Sequence, residues 1–586
     1  MPQRLRMQIR RMGCIVALKA YKAARWFRIR AYGLFRRVIP IPLSVDQQEF
    51  LQANATFWRA LSNGNEGGDR AGYVLVPVEN HPIICMSDAS FASIVARAKH
   101  LRMLFLVNAQ PTSVAARLLE SYPDATLVYR RGWRYLFVKL LALLPALRAY
   151  RKIKTPADLL HFRVDGVRFG DAIYDAVLAG GYATVNAIDR RVLWTLWEFY
   201  FLRLVIEDVI GRYPIRTAVL AHLVGLPGST ISRHLLRHGI EVLSRVGSHQ
   251  ILIKRYRSLV DVGIYPAKPE RGYFELMMAN EDGSILRPAE EYIERRFDHD
   301  VDDVAAGLAF NAAKRTFSDR QSFCAQYGLD VRKPVVFVML HAFNDYPHSH
   351  FARPMIFQDY YHWFMRTLQI AKITDDVNWI FKDHPAAWFY PTKDLHVEAL
   401  FAQNRYNHIR FLRSDADFNA RSLRHLAHAV LTCIGTAGLE YATVGIPCVL
   451  GGESAYSGFG FTIEPEDEHE YEACLKNIRA LKPLSGAQVK AAKIVAYFYF
   501  CILQGAVYHF CPYFSDDEVS KWNKASDNRL WRLLVAQLRN EQHVDLMRRQ
   551  AGRLSDFILD PSWTQYVDLE KFPFLRPSVP ARSFGG

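Results

Sequence analysis

The sequence predicts an α/β protein of two Rossmann-like domains, each a doubly wound parallel sheet, facing one another across a cleft. Three observations carry this expectation. Short runs rich in β-branched and aromatic residues alternate with helical patterns twice over, once in each half of the chain. A polar and charged stretch from Ala279 to Asp303 separates the two series. The second series contains the order strand, glycine turn, short helix, strand, which can present backbone amides to an anion.

In the first series the strand candidates are 72–76, 103–107, 126–129, 218–221 and 241–243, interrupted by a longer helix over 192–210. In the second they are 335–340, 378–381, 408–412, 429–433 and 447–450, with a helix over 357–373. Crossovers of this length are what parallel strands need. A chain of 586 residues is too long for a single core. Its boundaries read as a basic segment 1–48, a first domain 49–275, a second domain 276–515 and a polar tail 516–586. The glycine-rich stretch 63–72 reads as a surface turn.

Composition narrows the class. Half of the residues are hydrophobic and 23% are charged, as in globular proteins. The eight cysteines show no CxxC spacing, which points to a reducing compartment without disulfides or a zinc ribbon. The net charge is +16, but eleven Lys and Arg precede the first acidic residue, Asp46, so the other 541 residues carry only +5. A nucleic-acid enzyme more often spreads its charge along a groove, and no nucleic-acid partner is expected.

Within the basic segment, Ile9, Met12, Val16, Ala20, Ala23, Phe27, Ala31 and Leu34 recur every three or four positions among Arg11, Lys19, Lys22, Arg25 and Arg30. This is the pattern of an amphipathic helix lying on an anionic membrane surface. A helix docked on the protein body or an Arg-rich presequence shares it. The expectation is a cytoplasmic protein held peripherally on the inner face of the cytoplasmic membrane. Two apolar runs, 135–147 and 494–514, read as buried or bridging helices. The first is short of the about 20 residues a bilayer core needs, and the second contains Gln504, Gly505, His509 and Pro512. Basic flanks suit the first to the membrane surface as well.

Candidate chemistry collects after predicted strands. Gly435, Thr436, Ala437 and Gly438 form the turn before a short helix, where orphan N–H groups and the helix dipole favour phosphate. Glu440, one turn in, is expected to face the same crevice. His341 and Asp345 follow the strand 335–340, and Lys382, His384 and Pro385 follow 378–381. Asp171 lies in Gly170-Asp171-Ala172-Ile173-Tyr174-Asp175. Tyr456 lies in a glycine-rich loop, 451–460, that reads as a mobile lid or as plain turn chemistry. Two decoys are set aside. The stretch 217–243 imitates a helix-turn-helix but opens with a strand. His341, His348, His350 and His362 lack the spacing of a zinc site, so no metal is expected there.

The ordered series His341-Ala342-Phe343-Asn344-Asp345, Asp359-Tyr360-Tyr361-His362-Trp363 and Val377 to Pro385 resembles bacterial capsule and surface-polysaccharide glycosyltransferases of the GT-B type, including Kdo- and sialyltransferase-like members, over roughly residues 160–470. The chain departs from that pattern in having Lys-Asp-His-Pro at 382–385 and a basic N-terminal extension. The resemblance implies an inverting, metal-independent transferase without a cofactor. It would move a sugar from a nucleotide-activated donor, with a CMP-acidic sugar favoured, to a capsule, O-antigen or lipid-linked glycan. It implies that His384 and Pro385 meet the donor phosphate, with Lys382 adding charge and His341 donating from the cleft. The 435–438 turn would cradle the phosphate and Glu440 would reach a sugar hydroxyl. Asp345, or else Asp171 on the acceptor side, would be the base. Relatives of the family also leave open a CDP-polyol phosphotransferase, and a non-catalytic assembly or export partner of the same fold is a third reading.

Overall fold

The computed structural model describes residues 43–62, 71–78, 82–108, 114–130, 133–246, 251–280, 283–301, 304–348, 355–403, 406–503, 507–511 and 528–575. The basic segment expected on the membrane lies outside them almost entirely, as do His350 and most of the 63–72 stretch.

The first domain opens with helix α1 (Val45–Ser62), strand β1 (Tyr73–Val78), α2 (Pro82–Ala98), β2 (Arg102–Val107) and β3 (Ala125–Tyr129). An insertion follows: α3 (Trp133–Leu141), α4 (Leu143–Lys152), the small hairpin β4 (Arg163–Val164) and β5 (Val167–Arg168), α5 (Gly170–Leu178) and the long α6 (Arg190–Arg212). The sheet resumes with β6 (Ile215–Leu220), α7 (Gly225–Arg237), β7 (Glu241–Val246) and β8 (Leu252–Tyr256). Its strand order is β3-β2-β1-β6-β7-β8, parallel except for the antiparallel β7–β8 pair.

The second domain adds α8 (Leu286–Phe297), β9 (Val335–Met339), α9 (Tyr360–Ile373), β10 (Asn378–Lys382), β11 (Ile409–Leu412), β12 (Ala427–Thr432), α10 (Ala437–Ala442), β13 (Cys448–Leu450), β14 (Thr462–Ile463) and α11 (Gly486–Tyr497). The order β11-β10-β9-β12-β13-β14 is parallel throughout. Both sheets thus run outward in both directions from a central pair, the doubly wound order, and each reverses direction between two neighbouring strands.

The period-2 pattern explains the layering. Val335 and Phe337 of β9 enter one core and Val336 and Val338 the other, so both faces of the strand are covered by helices. In the first sheet Val74 and Val76 face one core and Leu75 the opposite one. Tyr135 to Leu147 is not one helix but parts of two, α3 and α4. Beyond Tyr497 the apolar run leaves α-geometry for a π-helical turn, Phe498–Leu503. Among the described residues one helical stretch, Gly486–Leu503, is long and apolar enough to cross a membrane, and it is half buried in the second core.

The polar tail behaves differently from its sequence reading. Residues 528–539 and 541–559 form helices α12 (Asn528–Arg539) and α13 (Glu541–Leu559). Trp531, Leu534, Met547, Leu554 and Phe557 are buried in the core that holds Phe50, Trp58 and Val74 of the first domain. Residues 564–566 then bond to the edge of β8, with Arg255 N–H donating to Thr564 at 2.7 Å and Tyr566 N–H to Ile253 at 3.0 Å.

Candidate functional site

The reversal points of the two sheets open on one cavity of about 820 Å³. The first domain contributes Pro77 from β1, His222 from the β6–α7 loop and Gly225 from the start of α7; the second contributes His341 and Asp345 beyond β9, His384 beyond β10 and Gly435 and Thr436 beyond β12. In open α/β sheets this position, outside the carboxyl ends of the strands, is where ligands bind.

His341 braces the glycine turn. Its Nε2 faces the backbone N–H of Cys433 at 3.1 Å, that of Ile434 at 3.2 Å and the Thr432 hydroxyl at 3.1 Å. The two amides can only donate, so Nε2 is the unprotonated nitrogen. Tyr360 stacks on the ring at 4.3 Å. Burial, helped by His384 nearby, pushes its pKa down to about 3, so the imidazole is neutral. The cleft donor expected at His341 is therefore an acceptor toward the turn. Thr432 Oγ1 takes the Gly435 N–H at 3.1 Å, which leaves the N–H groups of Thr436 and Ala437 as the turn's open donors.

Tyr456 latches that turn from the other side. Its hydroxyl donates to the Gly435 carbonyl at 2.5 Å, and a Cβ at Gly438 would lie 2.3 Å from the same hydroxyl, so only glycine fits beneath it. The 451–460 loop is anchored further by Glu453, paired with Lys268 at 3.0 Å, and by the Gly458 carbonyl, bonded to Arg271 at 3.1 Å. Tyr456→Phe is expected to weaken binding of a phosphate-bearing ligand at the turn by roughly 5- to 10-fold, the weight of one hydrogen bond. Calorimetry with nucleotides checks it, and an unaltered affinity would disconnect the latch from ligand binding.

His384 accepts the Ala386 N–H on Nδ1 at 3.2 Å, which puts its own proton on Nε2. Burial and then the nearby Lys382 push its pKa down to about 4, so it meets the cavity as a neutral donor. The Asp383 that departs from the family pattern accepts the His384 N–H at 2.9 Å and shapes this corner.

Asp345 opens into the cavity with its carboxylate unpaired by any hydrogen bond among the described residues. Asp345 is more than one-third exposed to the open cavity, and the protein packed around it raises its pKa above the ordinary carboxylate value. The next residue, Tyr346, holds a left-handed φ of 46°, a conformation that costs a non-glycine residue about 1–3 kcal/mol. Its ring crosses to the first domain and lies 2.9 Å from where a Cβ on Gly225 would be. Gly225, itself at φ 66°, accepts that approach as no other residue would.

Six expected site residues lie off the cavity. Asp171 is buried, with Arg233 donating to both oxygens at 2.6 and 2.9 Å and Arg168 at 3.3 Å. These cations outweigh burial and hold its pKa below the carboxylate range, so it has neither the reach nor the basicity of a proton acceptor. Its motif is an interdomain strut: Tyr174 donates to Asp359 at 2.6 Å, and Asp175 accepts the His348 N–H at 3.1 Å. Glu440 turns away from the crevice onto Arg296 of α8, at 2.7 Å, because it lies on the buried side of α10. Lys382 shares the strand face of Ile380 and donates to the Arg413 carbonyl at 3.2 Å; burial, then Lys314, pushes its pKa down to about 8. Pro385, Ala437 and Gly438 shape the corners without lining the cavity. His341, His348 and His362 go to separate partners, His362 to Asp359 at 2.8 Å.

Sequence reasoning did not single out Tyr346, Tyr360 or Gly225. Only the Tyr346-Pro347 pair hinted at constrained backbone.

Two doubly wound domains sharing one cleft make the GT-B architecture. No protein-family model and no curated protein matches the sequence. Among solved structures the chain is similar to Thermosulfurimonas dismutans KpsC, β-Kdo 2,4 transferase, at 13% identity over 47% of this chain and 78% of that one, with a TM-score of 0.30. It is similar also to Arabidopsis thaliana UGT89C1 complexed with UDP, at 10% identity over 80% and 99%, TM-score 0.24, and to a glycosyltransferase from Rickettsia africae, at 11% identity over 84% and 100%, TM-score 0.23. At these TM-scores the likenesses carry no function to this chain.

Proposed function

We propose that this chain is an inverting GT-B glycosyltransferase that moves a sugar from a nucleotide-activated donor to a surface glycan or lipid-linked acceptor. The supporting observation is the single cavity in which the Asp345 carboxylate shares space with the neutral His384 and the Thr436 corner of the turn, where the amides of Thr436 and Ala437 have no partner among the described residues. In this reading the donor phosphates sit on those amides and His384 Nε2–H donates to the leaving phosphate as its charge grows. Asp345 takes the proton of the acceptor hydroxyl as its oxygen attacks the anomeric carbon from the opposite face. Charge on the leaving group is met by dipoles and N–H donors already in place, so the scheme uses no metal and no cofactor.

The resemblance read from the sequence favours a CMP-activated acidic sugar. The test is incubation of purified protein with CMP-, UDP- and GDP-sugars and CDP-polyols plus a glycan acceptor, following the nucleotide released. Release of CMP with a new glycosidic bond supports the proposal. A new phosphodiester makes the chain a polyol phosphotransferase, and no turnover with any donor makes it a non-catalytic partner.

The site of action in this reading is the inner face of the cytoplasmic membrane. Helices α3 and α4 expose Trp133 (87%), Leu136, Phe137 (61%), Leu140, Leu141 and Leu144 to solvent. Arg134, Lys139, Arg148, Arg151 and Lys152 surround this apolar face, a combination that suits anionic lipid headgroups over acyl chains. Full-length protein is expected to float with phosphatidylglycerol vesicles and less with phosphatidylcholine ones. Removing residues 1–45 and changing Trp133 and Phe137 to serine should each reduce flotation. Equal flotation by all forms would remove the membrane from the proposal.

A further inference from the structure

The first domain carries a second convergence of side chains, on α6 and α7, away from the cleft. His234 and His238 stand four residues apart, where both rings project from one face of a helical turn. Glu207 of α6 reaches between them. Its Oε1 is 3.0 Å from His234 Nε2 and its Oε2 is 3.7 Å from His238 Nε2. A donor atom from each of the three lies within 4.8 Å of the others. None of the three lines the cavity between the domains.

We propose that Glu207, His234 and His238 form a binding site for a divalent transition metal of the zinc type. The spacing fits: two ligand atoms each about 2.1 Å from one ion in tetrahedral geometry stand about 3.4 Å apart, between the 3.0 and 3.7 Å of the two Glu207–His pairs. A second observation points the same way. His234 is 1% exposed, and its Nε2, although close to Glu207, has no hydrogen-bond partner of proper geometry. A buried imidazole nitrogen beside a carboxylate oxygen, with no hydrogen bond among the described residues, has its lone pair available for a metal.

The surroundings agree. Arg203 and Arg237 are the nearby cations, and both pair with Asp165, Arg237 at 2.7 Å, which offsets their repulsion of a metal. Glu207 and His238 are more than one-third exposed, so they can close the last few tenths of an ångström by rotation, and a fourth position opens to water. Mixed nitrogen and oxygen ligands suit zinc, cobalt or nickel better than calcium or magnesium. The site joins α6 to the end of α7 opposite Gly225. It therefore braces the helix whose first residue meets Tyr346 in the cleft. It plays no part in the transfer chemistry proposed above.

The test uses untagged full-length protein stripped with EDTA, dialysed and titrated with Co²⁺. One equivalent is expected to give visible d–d absorption without a thiolate charge-transfer band, and Zn²⁺ should displace it and raise the Tm. His238→Ala, at an exposed helix end where folding is not at stake, and Glu207→Gln should each weaken Zn²⁺ by more than about 100-fold, beyond the 10- to 100-fold that outer-shell losses cost. Absence of stoichiometric binding, a thiolate band that places the ion on cysteines, or undiminished affinity in His238→Ala would each overturn the proposal.

Discussion

Asp345→Asn is expected to lower kcat by about 10²- to 10⁴-fold, the weight of a positioned general base, while the protein remains folded. Among the described residues the carboxylate has no hydrogen-bond partner to lose, and asparagine occupies the same space. The pH dependence gives a second reading of the same residue. A base works only when ionised, and the protein packed around it has raised this carboxyl's pKa, so kcat/KM should climb with pH through a limb displaced above the ordinary carboxylate range. His341, with its pKa pushed down to about 3, stays neutral over the measured range, while His384, pushed down to about 4, titrates at its foot and persists in the asparagine variant, which separates the two groups. In the asparagine variant the limb should vanish. Released nucleotide measured from pH 4 to 9 decides it; full turnover by Asp345→Asn would place the base elsewhere.

Asp171→Asn is expected to act on stability rather than chemistry. Removing one partner of a buried ion pair costs about 3–5 kcal/mol, because the remaining charge stays desolvated. Here Arg233 would be left buried against a neutral amide. Since the folded pKa of Asp171 is depressed, its contribution is complete above the unfolded carboxylate value of about 3.9 and is lost as pH falls below that toward the folded value. Urea unfolding at neutral pH should show the full loss, and the gap between variant and native protein should close in strong acid. The folded fraction of the variant should still turn over at the native rate. A drop in kcat without a drop in stability would return Asp171 to the chemistry.

The fold was legible because its strands are buried on both faces and so appear as unbroken apolar runs. Val335 to Met339 and Ala427 to Thr432 needed no partner to be recognised. What escaped was structure whose reason lies elsewhere in the chain. Leu252–Tyr256 carries Lys254 and Arg255 within a strand, and the two-residue β14 exists only as the edge of a completed sheet. In α12 the apolar Leu530, Trp531, Leu534 and Val535 are interleaved with Arg529, Arg532 and Arg539, so the segment reads as part of a polar tail until the first domain's core is there to receive it.

At the site, strand ends could be read but directions could not. Two residues separate His384, in the cavity, from Lys382, under the 413–415 loop. Glu440 was assigned to the crevice by its distance from the turn. Its true partner, Arg296, stands 144 residues away in sequence, and no local pattern announces it.

The return of α12 and α13 to the first domain has a bearing on biosynthesis. Emerging from the ribosome, the β-strands of the leading lobe lack the Trp531, Leu554 and Phe557 that close their core until some 560 residues have been made. The trailing lobe has its whole sheet by Ile463 and its packing helix by Leu503. Nascent domains usually mature in the order they are translated, but here the later lobe's core also takes Val567, Phe572 and Leu575 from the tail, so both lobes wait, open-sided, for one C-terminal clasp.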